Sequence, residues 1–329
     1  MFINRILPLK NTLLLLGFLL MTIHLFVFEI PMVAQWALFL ATMLLTGIPH
    51  GALDHLVAEK NLSSQRKSFS LFIFLLKYIN KMFLYALLWY FVPSVALLVF
   101  IAISAYHFGE TDLNELSVSK SLKTPLFILY GSVLVMVLLL THHTEVLPIL
   151  QSLPNYSASS IRLIFLFAIG HQSAIIFSLV FLFLITLGIS CYWVKTKIID
   201  LLTFVFQGFV LLFICSKLPL LLAFSFYFGT WHSFLCLQGI RYHLTENQEP
   251  LAWGILIKKA LLFSIVAVLG IVCSIIFWYN FGQSSDFLLG IFVGIAVLTA
   301  PHIEVMSGMF QNNTTGGLLA AKPTLAQNN

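Results

Sequence analysis

The chain has 329 residues, of which 60% are hydrophobic and only 9% are charged, and its formal net charge is +5. A soluble domain cannot bury so large an apolar fraction, so the composition excludes a soluble globular protein and indicates an integral membrane protein. The lysines and arginines are scattered through the loops rather than gathered on one face, which excludes nucleic acid as a partner.

In chain order, about ten segments meet the requirement of about 20 mostly apolar residues for a transmembrane helix. They are 11–30, 32–50, 71–91, 93–108, 124–142, 172–194, 198–216, 219–241, 256–279 and 286–309, and residues 144–171 add a short interfacial helix. The sequence therefore predicts an all-α, polytopic helical bundle in the lipid bilayer. This single domain covers residues 1–310, and the polar tail 311–329 is expected to be disordered.

The basic residues also predict the topology. Lysines and arginines mark alternate loops, whereas the intervening loops 143–160 and 280–286 contain none. By the positive-inside rule, both termini then lie in the cytoplasm of a multi-pass protein of the cell membrane. The first segment has no small-residue cleavage signal after it, so we expect it to be a retained helix.

Four histidines lie near the same end of four separate predicted helices. They are His50 in PHGALDH (49–55), His107 in SAYHFGETD (104–112), His232 in FGTWHSFLC (228–236) and His302 in APHIEVM (300–306). At a rise of 1.5 Å per residue, all four fall in the cytoplasmic third of the membrane. Ionisable side chains are costly there and usually functional. A common depth predicts a shared metal ion, and imidazole suits iron, copper or zinc equally.

Two carboxylates accompany these histidines. Asp54 follows His50 by four residues and shares its helix face, so it is predicted either to orient an imidazole or to bind metal itself. Glu110 follows His107 by three residues and is likewise predicted to support the ligands, with a solvated or capping role as the alternative.

In order and context, the four motifs resemble those of the Brp/Blh family of bacterial and archaeal β-carotene dioxygenases. The resemblance runs from about residue 40 to residue 310. It implies an all-helical membrane enzyme that uses Fe²⁺ held by histidines and O₂ to cleave the central double bond of β-carotene, or of a related carotenoid, into retinal. It also suggests a functional link to a retinal-binding rhodopsin.

Carried over residue by residue, the resemblance makes His50, His107 and His232 iron ligands. The family motif usually has a further histidine four residues after the third one, but this chain has Cys236 there. Either Cys236 as a thiolate or His302 then completes the site, or the site is altered.

Aromatic residues beside these ligands are expected to line an apolar tunnel for the polyene, with ordinary helix packing as the alternative. They are Tyr106, Tyr227, Phe228 and Trp231.

Three other functions compete with cleavage. A non-catalytic carotenoid or retinal binder is suggested by the cysteine in the third motif. A lipid desaturase or hydroxylase usually carries repeated H-x-x-H or E-x-x-H spacing, and no H-x-x-H occurs here. A transporter is disfavoured because the chain has no internal repeat and no pair of broken helices in corresponding halves.

Overall fold

The computed structural model describes residues 3–153, 156, 159–245, 249–281 and 287–320. Every regular element in these ranges is a helix. The α-helices are α1 (Ile3–Thr22), α2 (Met32–Thr42), α3 (Ile48–Gly51), α4 (Asp54–Ser64), α5 (Leu71–Phe91), α6 (Pro93–Leu113), α7 (Lys123–Thr141), α8 (His143–Gln151), α9 (Ser160–Gly170), α10 (Gln172–Val194), α11 (Ile198–Lys217), α12 (Leu220–Phe224), α13 (Ser233–His243), α14 (Trp253–Phe281) and α15 (Phe287–Ala320).

Within these ranges, ten helical stretches are long and apolar enough to cross a membrane, which confirms the predicted all-α membrane fold. Most of their ends lie within a few residues of the predicted ones. The second stretch is the largest difference, because it continues from Met32 to Ser64 instead of ending near residue 50. The turns around Gly51 keep the chain helical, so PHGALDH lies inside a long helical rod and not at its end.

Two further differences concern the loops. The predicted interfacial helix within residues 144–171 is two helices, α8 and α9. Helix α15 continues to Ala320 and so includes 311–320, the first ten residues of the segment predicted to be a disordered tail. Residues 321–329 of that tail lie outside the described part of the chain.

The described residues include three π-helical segments: Ile23–Val27 ends the first helical stretch, and Met43–Gly47 and Ser225–His232 lie within the second and eighth stretches. In a π-helix the backbone bonds span five residues instead of four, and such segments are frequent at functional sites. The second segment ends three residues before His50, and the third ends on His232. Irregular helical backbone therefore lies just before His50 and carries His232.

Helices α6 and α7 make the closest helix contact near the histidines. A methyl group at Gly109 would lie 1.9 Å from the carbonyl oxygen of Phe127, and one at Gly131 would lie 1.7 Å from that of Ala105. Each glycine thus faces the backbone of the partner helix, which is the small-residue packing expected between membrane helices. This contact fixes the helix segment that carries His107.

The outer surface of the bundle is strongly apolar. Phe181, Phe209 and Leu262, for example, are 57%, 67% and 66% exposed. Exposed side chains of this size and number would be a liability in water and are the expected lipid-facing surface in a bilayer.

Candidate metal centre

The structure brings the four predicted histidine rings together at one end of the bundle. Ring centroids are 4.8 Å apart for His50 and His302, 5.2 Å for His302 and His107, 4.9 Å for His107 and His232, and 5.6 Å for His232 and His50. All four side chains are buried. Four helical segments distant in sequence therefore converge on one cluster, which we call the histidine cluster.

Several ring nitrogens of this cluster are buried and have no hydrogen-bond partner: Nδ1 and Nε2 of His107, Nδ1 of His232 and Nε2 of His302. Buried polar atoms in folded proteins are nearly always bonded, so unpartnered ones indicate a missing ligand or a functional role. The Nδ1 of His50 lies 3.3 Å from the carbonyl oxygen of Thr46.

Asp54 contacts the cluster through His302, not through His50 on its own helical rod. Its Oδ1 and Oδ2 lie 2.8 and 3.0 Å from Nδ1 of His302. The hydroxyl of Tyr78 donates a second hydrogen bond to Oδ2, at 2.9 Å. A carboxylate on one ring nitrogen fixes the tautomer and turns the other nitrogen towards a ligand. The spacing of His50 and Asp54 along one helix suggested a contact between Asp54 and His50. The contact is instead with His302, because α15 packs beside Asp54.

A second buried carboxylate, Asp112, holds the helical segment that ends on His232. It accepts hydrogen bonds from the hydroxyl of Tyr130 at 3.1 Å, the indole N–H of Trp231 at 3.2 Å and the hydroxyl of Tyr227 at 3.4 Å. Sequence reasoning missed this group, although an aspartate inside an apolar helix is itself a signal. The network ties α6 and α7 to the π-helical segment that ends on His232.

Cys236 is buried and does not line the cavity described below, whereas His232 does. Its Sγ is 3.7 Å from Nε2 of His232, and the side chain packs in an apolar cluster with Leu53 and Leu237. His302, in contrast, has ring neighbours on both sides in the histidine cluster. His302, and not Cys236, is therefore the fourth side chain of the cluster that lines the cavity.

Glu110 is buried but does not touch the histidines. It accepts hydrogen bonds from the hydroxyls of Tyr106 and Ser307, and so joins α6 to α15. The alternative of a solvated role does not apply, because α15 covers Glu110 and leaves it 3% exposed.

An apolar cavity of about 550 Å³ opens from the histidine cluster. The four cluster histidines and Asp54 line one end of it, and most of the remaining wall is aliphatic and aromatic. Of the four aromatic residues predicted to line a tunnel, Phe228 lines this cavity. The other three do not, because Tyr106 bonds to Glu110, and Tyr227 and Trp231 bond to Asp112.

The donor set suits a transition metal. Four imidazoles with unpartnered nitrogens, one of them oriented by a carboxylate, are the ligand type preferred by iron, copper and zinc. In their present positions, the residues that the structure describes contain no group of three or more His, Cys, Asp or Glu side chains that could hold a metal ion. Metal binding at the cluster would therefore include a rearrangement of the rings.

The fold and the cluster define a class: an all-helical membrane protein with a buried histidine cluster at one end of an apolar cavity. The sequence matches the family described as Beta-carotene 15,15'-dioxygenase over residues 41–310, and the chain belongs to that family. It is also 28% identical to a protein named Beta-carotene 15,15'-dioxygenase from an uncultured marine bacterium, 66A03, over 292 residues. The match covers 86% of this chain and 97% of that protein. No solved structure matches the chain.

Proposed function

We propose that this protein is an iron-dependent membrane oxygenase that cleaves the central double bond of β-carotene, or of a closely related carotenoid, to give retinal. The observation that carries the proposal is the position of the histidine cluster, at one end of an apolar cavity inside a membrane bundle. Membership of the family supports the same reaction. A long hydrocarbon substrate dissolves in the bilayer and not in water, so a helical bundle with an apolar interior is a suitable container for it.

In this proposal, His50, His107, His232 and His302 would hold Fe²⁺, which would supply the redox chemistry that activates O₂. Asp54 orients His302 through its bonds to Nδ1, and Tyr78 holds Asp54 in turn. The apolar wall excludes water and holds the polyene against the cluster. Cys236 has no ligand role in this arrangement.

The reaction balances without a further reductant. The carbon–carbon double bond breaks, and each of its two carbons receives one oxygen atom of a single O₂ molecule, so that two aldehydes form. The polyene is oxidised and O₂ is reduced. No proton needs to enter or leave the cavity overall, which agrees with walls that carry few polar groups away from the cluster.

We further propose that the protein lies in the cell membrane with both termini in the cytoplasm, following the distribution of lysine and arginine. The cluster would then face the cytoplasmic third of the bilayer. Retinal released into the bilayer is available to a rhodopsin in the same membrane.

The first experiment is pigment analysis of cells that accumulate β-carotene, with and without this protein. We expect retinal to appear as β-carotene falls. His107→Ala removes a ring with two unpartnered nitrogens and is expected to abolish the product and the bound iron, whereas His171→Ala, at an exposed position between α9 and α10, is expected to change neither. Intact carotenoid recovered with the purified protein under air, without product, would instead favour the non-catalytic binder.

A second experiment separates the two candidates for the fourth ligand. Iron content is measured for His302→Ala and for Cys236→Ala. We expect the first variant to lose iron and the second to retain it, since His302, unlike Cys236, lies between two other cluster rings. The reverse result would assign the ligand to the thiolate.

A further inference from the structure

The cavity has two unlike ends. At the end away from the histidines it is lined by buried residues of the segment after α7, Leu150 and Leu153, which are 8% and 4% exposed, and by Trp89 of α5, which is 3% exposed. This end is closed to the lipid. We call the part of the cavity between the histidine cluster and these residues the closed arm.

The other end opens sideways to the bilayer. Ile79 of α5 and Val266 of α14 line the cavity and are nevertheless 59% and 55% exposed. Gly270 also lines the cavity on α14, and a methyl group there would meet nothing within 4 Å. Ile79 is next to Tyr78 in the chain. The hydroxyl of Tyr78 donates a hydrogen bond to Asp54, and Asp54 contacts His302, so the opening lies beside the histidine cluster.

The length of the closed arm follows from the helices that line it. Along α6 it extends from His107 to Leu97, which is about 15 Å at 1.5 Å per residue. Along α15 it extends from His302 to Leu289, about 20 Å at the same rise. With carbon–carbon bonds of about 1.5 Å, such an arm takes on the order of ten extended chain carbons. It holds a part of a long polyene, and the remainder must lie towards the lateral opening.

Building on the proposed function, we propose that the closed arm selects the double bond that is cleaved. A carotenoid enters through the lateral opening and slides until its ring meets the wall formed by Trp89, Leu150 and Leu153. The depth of that wall then determines which bond lies at the histidine cluster. The other half of the molecule remains near the opening, so its end group contributes little to the choice of bond.

The proposal predicts the outcome of shortening the arm. Leu97→Phe enlarges a side chain that lines the deep part of the arm, and Ile101→Phe enlarges one a single helical turn closer to His107. The ring then stops earlier, and a bond away from the centre lies at the cluster. The same O₂ stoichiometry gives two aldehydes of unequal length. We expect a larger displacement of the cleaved bond for Ile101→Phe than for Leu97→Phe.

The matched control is Leu98→Phe. Leu98 adjoins Leu97 on α6, but it is 43% exposed and does not line the cavity. It receives the same added volume on the lipid side of the same helix. We expect this variant to produce only the wild-type product.

The measurement is the mass of the aldehydes formed from β-carotene by membranes containing each variant. Unequal aldehydes from the arm variants, with only retinal from wild type and Leu98→Phe, support the proposal. Retinal as the only product of both arm variants, at whatever rate, overturns it. If both arm variants are inactive on β-carotene, they are assayed on an apocarotenal whose ring-bearing half is shorter than that of β-carotene and fits the shortened arm. Cleavage of this substrate supports the proposal, and no cleavage overturns it. A wild-type protein without any cleavage would instead overturn the proposed function itself.

Discussion

The two helix pairs beside the histidine cluster, α6 with α7 and α5 with α14, are built differently. Helices α6 and α7 approach until glycine meets backbone, and their contact leaves no space even for a methyl group at Gly109 or Gly131. Helices α5 and α14 leave a lateral opening, where Gly270 has free space beside it. The closed side carries His107, and the open side carries Tyr78.

This contrast separates two tasks. A ligand position must be held rigidly, and tight packing of small residues provides that rigidity. A hydrocarbon substrate must reach the cavity from the bilayer, and an apolar opening between two helices provides a route that avoids water. The hydrogen bonds from Tyr78 to Asp54 and from Asp54 to His302 connect the two sides. The following changes test this division of tasks, from the largest expected effect to the smallest.

Gly131→Ala tests the closed side. The added methyl group meets the carbonyl oxygen of Ala105, which belongs to the backbone and cannot move aside without displacing α6. We expect destabilisation of roughly 3 kcal/mol or more, as for severe overpacking. Thermal unfolding in detergent measures it. Gly188→Ala, where a methyl group meets nothing within 4 Å, is the matched control and should leave the unfolding temperature unchanged.

Asp54→Asn tests the connection between the two sides. The substitution keeps the shape of the side chain but replaces the carboxylate that orients His302. Loss of such a partner typically lowers metal affinity or activity by about 10- to 100-fold. Iron content and retinal formation measure both effects. Asp200→Asn, at an exposed position in the first turn of α11, should reproduce the wild-type values.

Gly270→Phe tests the open side. A Cβ atom at this position has free space around it, so the variant should fold normally, and the phenyl ring should narrow the lateral opening. We expect kcat/KM for β-carotene to fall roughly fivefold, which corresponds to about 1 kcal/mol. Gly254→Phe, on the same helix but away from the cavity, is the control. Equal rates for the two variants would argue against access between α5 and α14.

Tyr78→Phe is expected to have the smallest effect. It removes one hydrogen bond to Asp54 and leaves the contact between Asp54 and His302 in place. The net contribution of one hydrogen bond is about 0.5–1.5 kcal/mol, so we expect activity to fall roughly threefold. Initial rates of retinal formation provide the measurement, and a loss as large as that of Asp54→Asn would mean that the hydroxyl has a further role.

The sequence predicted most of the helices well, because the length of an apolar segment decides whether it can span a bilayer. It also predicted that the four histidines converge, because each lies at a similar distance along its own helix. The contacts between side chains of neighbouring helices could not be predicted in the same way. Helices that are apolar on all sides carry no periodicity that tells which face meets which neighbour, so the pairing of Asp54 with a histidine on α15 could not be derived from spacing.

The roles of the aromatic residues show the same limit. Adjacency in sequence suggested that Tyr227 and Trp231 face a tunnel beside His232, but the hydrogen bonds of both lead to Asp112. In a π-helical segment, the angular position of a side chain no longer follows the 3.6-residue repeat. Phe228 reaches the cavity from the same segment.

The π-helical segments Met43–Gly47 and Ser225–His232 also determine how this chain tolerates changes in length. Each accommodates a surplus residue within an otherwise continuous helical stretch, and one residue more or less turns everything downstream by about 100°. Deleting a residue from Met43–Gly47 would swing His50 away from its neighbours while leaving α2 undisturbed. A single-codon deletion there would therefore be far more harmful than most substitutions, although no residue of that segment belongs to the histidine cluster.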